Sequence, residues 1–306
     1  MSSIMTNTAA MTALKTLQQT NKALESTQSR ISTGYRVAEA SDNAAYWSIA
    51  TTMRSDNKAL GTVQDALGLG SAKVDTTYTG MNASIKVVDE IKTKLVAARE
   101  PGVDRSKVQS EIAQLQKQLV SISTASSFSG ENWLSVNSGA ATYSATKSIV
   151  ASFDRSATGA VKVNTLDVDI SKTELFDAAD QSGILDKTFT TTGAGAANVA
   201  VSTLDITAAG IDNTDIDDMI SNVDTAIKSM TSAASTLGAA KSRISIQKDF
   251  VGELMNSIET GISTLVDADM TKESTRLQAL QTQQQLGIQA LSIANSGAQS
   301  VLSLFR

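Results

Sequence analysis

The sequence predicts a mainly α protein: a long antiparallel helical bundle with paired chain ends and a small β-rich insert at its far end. Three observations predict it. Apolar residues recur at alternating steps of four and three through 216–265, and a second stretch of similar length does the same through 46–95. Between them, over 136–212, the period falls towards two, and Gly, Ala, Ser and Thr dominate. A 3.5-residue period held for about seven heptads marks a helix packed along its length on another helix. At 1.5 Å per residue that is a rod about 75 Å long. Such a seam needs a partner of equal length, and the other stretch supplies one.

Composition narrows the chemistry. The 306 residues include no Cys, no His and one Pro, with 4% aromatics. No disulfide framework or thiol nucleophile is therefore available, nor the commonest proton shuttle at neutral pH. No Ser triad of the usual type can be assembled without a His base. A net charge of −5 and a pI near 4.9 oppose a nucleic-acid surface. No apolar run reaches the roughly 18 residues of a membrane span, and Met1–Asn7 lacks the basic and apolar parts of a cleavable leader. No enzyme constellation, cofactor or metal site is expected.

Taken in order, Ala10, Leu14, Leu17, Asn21, Leu24, Gln28 and Ile31 form a thin first seam. So little apolar surface barely offsets the ordering entropy, so this helix is expected to order only against company. Ser32-Thr33-Gly34 ends it, and Ser41-Asp42 are the expected caps of the next helix. That helix carries Tyr46, Ile49, Met53, Asp56, Leu60, Val63, Leu67, Gly70, Val74, Thr77, Met81, Ser84, Val88, Ile91 and Leu95, the four small or polar members being gaps. Pro101-Gly102 stops it. Asp104 caps a shorter helix with Val108, Ile112, Leu115, Leu119 and Ile122.

Alternation then takes over, in Ile149, Ala151, Phe153 and in Val161, Val163, Leu166, Val168, Ile170, with Ser156-Ala157-Thr158-Gly159 reading as a hairpin turn. A second strand pair is expected at Val199, Val201 and Leu204, Ile206. Asn213 or Thr214 is the expected cap of the long helix with Ile216, Ile220, Val223, Ile227, Met230, Ala234, Leu237, Lys241, Ile244, Lys248, Val251, Met255, Ile258, Ile262 and Leu265. A lysine at a seam position usually snorkels its stem. Asp267 and Asp269 read as caps rather than metal ligands.

The last helix has Met270, Leu277, Leu280, Gln284, Gly287, Leu291, Ala294, Ala298, Val301 and Phe305, and carries no charge from Leu277 to Phe305. An uncharged amphipathic helix of this kind is built to be buried by other chains. The expected contact residues are Leu14, Leu17, Leu24, Ile31, Leu277, Leu280, Leu291, Val301 and Phe305. The expected bundle seam is Leu60, Val63, Leu67 and Val88 against Ile220, Ile227, Leu237, Ile244 and Val251.

These residues also carry a family resemblance. Ile31-Ser32-Thr33-Gly34-Tyr35-Arg36-Val37, Ala40-Ser41-Asp42-Asn43-Ala44-Ala45 and Ser129-Gly130-Glu131-Asn132-Trp133-Leu134 resemble the amino-terminal signature of bacterial flagellin. Val266-Asp267-Ala268-Asp269-Met270-Thr271-Lys272-Glu273, Ala294-Asn295 and Val301-Leu302-Ser303-Leu304-Phe305-Arg306 resemble its carboxyl-terminal one. The likeness covers about 1–135 and 215–306, and Tyr46-Trp47 is similar to flagellins of soil α-proteobacteria such as rhizobia. It implies a self-assembling filament subunit for swimming, located outside the cell. Residues 1–42 and 267–306 would form the filament core, 43–135 and 213–266 the bundle, and 136–212 the surface lobe. It implies as partners identical or sibling flagellin subunits, the flagellar export apparatus, an export chaperone, the filament cap and hook-associated proteins. A hook–filament junction protein of the same family and a non-flagellar coiled-coil adaptor are the alternatives.

Overall fold

The first helix, α1 (Thr8–Thr33), starts where the Asn7 side chain accepts the Ala10 amide at 3.0 Å. It ends at Gly34, whose φ of +76° lies in the left-handed region and whose N–H returns to the Arg30 carbonyl at 2.8 Å. A Cβ would strain that backbone. This computed structural model describes residues 6–156 and 158–303, except the side chains of 298–303.

Four further helices follow: α2 (Ala44–Ala98), α3 (Arg105–Ala125), α4 (Asn213–Val266) and α5 (Met270–Ser303). Asp104 and Asp269 cap α3 and α5, each accepting first-turn amides. The other two caps differ from the sequence expectation. Asn43, rather than Ser41 or Asp42, accepts the Ala45 and Tyr46 amides at 3.1 Å. Asp42 is engaged upstream, with the amides of Ala38 and Glu39. Asp212, rather than Asn213 or Thr214, accepts the Thr214 and Asp215 amides at 2.8 and 2.9 Å. Where several capping residues adjoin, the one whose oxygen reaches the second and third helical amides sets the start.

The chain divides into two compact units. The larger comprises 59–254. Here α2 and α4 run antiparallel, and ion pairs mark their register: Lys241 with Asp75 at 2.7 Å, Lys92 with Asp224 at 2.5 Å, and Arg99 with Asp217 at 2.8 Å. The interval from 75 to 99 equals that from 217 to 241, so no register slip intervenes. Along α2, Leu60, Val63, Leu67, Gly70, Val74, Thr77, Met81, Ser84, Val88, Ile91 and Leu95 are all buried.

On α4 several of the alternate positions lie one residue earlier than the sequence spacing suggests, whereas Ala234 and Ile262 are buried where the spacing expects them. Met219, Ala226, Ala233 and Ala240 are buried between Ile216, Val223, Met230, Leu237, Ile244 and Val251. Ile220 and Ile227 are half-buried at the flank, and Lys241 and Lys248 are exposed beside the seam rather than within it. A stripe that is apolar over more than 100° satisfies both spacings, and the partner helix selects one.

Asp224 carries a consequence for acid stability. Hydrogen bonds from Lys228 and then Lys92 hold its carboxyl down to about 2. A depressed carboxyl stabilises the fold above its unfolded value, and that contribution is lost as pH falls through the folded one. Thermal melts of Asp224→Asn are expected to lose less stability than wild type between about pH 4 and 2.

The insert docks on the same helices. Its longest element is the antiparallel hairpin of β4 (Thr146–Arg155) and β5 (Val161–Asp169), with a bulge between Val150 and Ser152. Two-residue strands surround it: β1 (Ser127–Phe128) with β2 (Glu131–Asn132), β3 (Ser135–Val136) parallel to β6 (Phe176–Asp177), and β7 (Phe189–Thr190) with β8 (Asn198–Val199). The expected pairing of Val199, Val201 with Leu204, Ile206 does not form. Val201–Thr203 is a 3-10 turn, and α3 supplies its neighbours' hydrogen bonds instead. Gln116 donates to the carbonyls of Val201 and Leu204, and Gln109 accepts the Ile206 amide at 3.0 Å. Side-chain amides here replace a β ladder.

Gly70 explains one gap in the α2 seam: a Cβ there would stand 2.5 Å from Ile149 of β4. Gly70→Val is therefore expected to cost about 1–3 kcal/mol by pushing the hairpin off the helix, measured by urea denaturation.

Candidate functional site

The second unit comprises 1–58 and 255–306, and α1 and α5 pair antiparallel within it. The Asn7 side chain donates to the Ala294 carbonyl at 2.9 Å, and Gln284 donates to Asn21 at 2.9 Å. Arg30 meets Glu273 at 3.3 Å. Past Gly34 the chain bridges to the end of α4: Tyr35 pairs with Asp267, the Ala268 amide donates to the Gly34 carbonyl at 2.8 Å, and the Arg36 guanidinium donates to the Leu265 carbonyl at 2.8 Å. Val37, Ala50, Ile262 and Val266 form one apolar cluster beneath this bridge.

The interface between α1 and α5 is poor in apolar burial. On α1 the buried residues are Thr20 and Thr27, the former donating to the Thr16 carbonyl. Leu17, Leu24 and Ile31 are half-buried towards α5, and Leu14 points away, 46% exposed. Again every second position sits one residue earlier than the spacing suggests, so Ala13, Thr20 and Thr27 stand where Leu14, Asn21 and Gln28 were expected. On α5, Leu280 is buried and Leu277 and Leu291 are half-buried. Val301 lies in α5 with its side chain outside the described set, and Phe305 lies outside the described residues.

Glu273 is the buried charge of this pair, with its Oε2 buried and unpartnered. Removing Arg30 would leave that carboxylate without a counter-ion, so Arg30→Ala is expected to cost more than Arg30→Lys. A difference on the order of 1–3 kcal/mol in urea stability is expected.

Large apolar side chains that the spacing overlooks lie outside the pair. Leu286, Ile288 and Ile293 of α5 are 58%, 55% and 71% exposed, and Met11 of α1 is 60% exposed. Their signal in the sequence is that they fall off the seam in a segment without charge. Leu286 and Ile293, seven residues apart, share one flank of α5 and Ile288 lies on the other, and exposed apolar surface of this kind in water is the mark of an interaction surface. Among the described residues, no helix is long and apolar enough to cross a membrane, and no group of three or more acidic side chains could hold a metal ion.

Comparison with known proteins finds matches at both ends of the chain. The model of the bacterial flagellin N-terminal helical region matches residues 4–138, and that of the C-terminal helical region matches 220–305. Flagellin C of Rhizobium meliloti (strain 1021) is 55% identical over 323 residues, covering all of both chains. Flagellin A of Rhizobium meliloti is 46% identical over 398 residues, and a flagellin of Brucella melitensis biotype 1 is 48% identical over 307, again with full coverage of both. The chain belongs to the bacterial flagellin family, as a structural, non-enzymatic subunit of the flagellar filament.

Proposed function

We propose that copies of this chain join through the outer faces of α1 and α5, which become the filament core. The observation that supports this most is the set of Leu286, Ile288 and Ile293, more than half exposed on α5. Met11 and Leu14 would serve on α1, with Leu17, Leu24, Ile31, Leu277, Leu280 and Leu291 holding the two helices together. Contacts between different faces of identical subunits do not close on themselves and generate a helical polymer. Under this reading 1–42 and 267–306 form the core, 43–135 and 213–266 the surrounding bundle, and 136–212 the outer lobe. Export runs through the flagellar export apparatus with a chaperone, and assembly proceeds beneath a filament cap on hook-associated proteins. A chain without cysteine forms no cross-link to obstruct passage unfolded.

Leu286→Ser with Ile293→Ser tests the faces. Both side chains are exposed, so monomer stability is expected to stay within about 0.5 kcal/mol. Losing the burial of two such residues between subunits is expected to raise the critical concentration roughly 100-fold. Sedimentation of polymer at graded concentrations measures it, and an unchanged critical concentration would refute the assignment.

A further inference from the structure

We infer that a second contact between copies of this chain pairs an aromatic patch on 35–54 with the Ile246–Phe250 face of α4. The inference rests on the filament reading but uses neither α1 nor α5. Ile246 and Phe250 are 66% and 54% exposed, and among the described residues they are the only large apolar side chains of α4 left so open. Their spacing of four places them on one helical face, joined there by exposed Asp249 and Glu253. Arg243, seven residues before Phe250, lies on the same face, on the side away from Asp249 and Glu253.

The complementary patch is also apolar, with opposite charge. Tyr35, Tyr46 and Trp47 are all exposed. Arg54 holds its guanidinium 4.9 Å from the centre of the Tyr35 ring, and Arg36 lies 5.8 Å from that of Tyr46. Arg54 shares the face of α2 that carries Trp47, seven residues earlier. One surface is thus aromatic with an arginine fringe, and the other is apolar with Asp249 and Glu253 along one side and Arg243 along the other. Aromatic and arginine side chains dominate the energy of protein contacts, and matched charge at the rim fixes which faces meet. In a polymer of one chain every subunit presents both surfaces, and the second copy is the occupant.

Because the chain has no cysteine, single thiols can report the contact. Filaments co-polymerised from Trp47→Cys and Phe250→Cys chains, with wild-type chains added to sustain growth, are oxidised and run without reductant. Covalent dimers are expected from the mixture, and not from either variant alone or from Trp47→Cys mixed with Val120→Cys. Filaments that form without this cross-link overturn the pairing and leave the α1–α5 reading standing. Charge reversal gives the second arm. Arg54→Glu and Glu253→Arg are each expected to raise the critical concentration at least tenfold with helix content unchanged, and the double variant to restore it. Wild-type assembly by the single variants, or no rescue in the double, overturns the pairing as well.

Discussion

A chain lacking residues 270–306 is expected to form no filaments at any accessible concentration, while its 59–254 unit melts much as in the full chain. The two halves of that expectation have separate causes. The larger unit buries its seam within the chain: Leu60, Val63, Leu67, Val74, Met81, Val88, Ile91 and Leu95 meet Met219, Val223, Met230, Leu237, Ile244 and Val251, all nearly inaccessible. None of those residues depends on α5. On the proposed reading, assembly depends on α5 twice, as the partner that covers Leu17, Leu24 and Ile31, and as the carrier of Leu286, Ile288 and Ile293. Electron microscopy and sedimentation check the polymer, and circular dichroism checks the fold. Filaments of normal length from the truncated chain would contradict the account.

The second large effect concerns stability. Leu67→Ala is expected to lower the unfolding free energy of the 59–254 unit by about 3–5 kcal/mol, through lost transfer energy and the cavity left behind. Leu67 is fully buried, whereas Leu69, two residues on, is 54% exposed. Leu69→Ala is therefore expected to change stability by no more than about 0.5 kcal/mol. Urea denaturation of the two variants gives the comparison. Equal losses would mean that α2 packs on a different face from the one described.

Most of the architecture was legible in the sequence because long helices write their period many times over. The α2 seam could be read residue by residue from Leu60 to Leu95, including Gly70, Thr77 and Ser84, which look like defects until the insert and neighbouring helices are in place. Gly70 is small because Ile149 occupies the space a side chain would need. The α4 seam could be read at one set of alternate positions and, of the other set, at Ala234 and Ile262 but not at 220, 227, 241 or 248. Ile220 and Ile227 are as apolar as the Met219 and Ala226 beside them, and spacing alone does not rank the two sets. The insert was least legible. Its strand at 204–206 is replaced by hydrogen bonds to Gln109 and Gln116, nearly a hundred residues away, and no local pattern announces such partners.

The candidate site shows the same limit from the other side. The spacing puts Leu14 on the seam because leucine is apolar, yet the helix turns it outward and puts threonines inward. The α1–α5 pair is thus held by half-buried leucines, polar links such as Gln284 to Asn21, and one ion pair. Leu286, Ile288 and Ile293 remain uncovered. On the proposed reading, these uncovered residues are what leaves the pair incomplete by itself.

Amide hydrogen exchange on the dilute chain and on the assembled filament tests this most directly. The α2 and α4 amides of 59–254 are expected to be slow in both states, while those of 8–33 and 270–303 exchange quickly in the dilute chain and slow by at least tenfold in the filament. Slow exchange of α1 and α5 in the dilute chain, unchanged on assembly, would show that the pair needs no neighbours and would contradict the account.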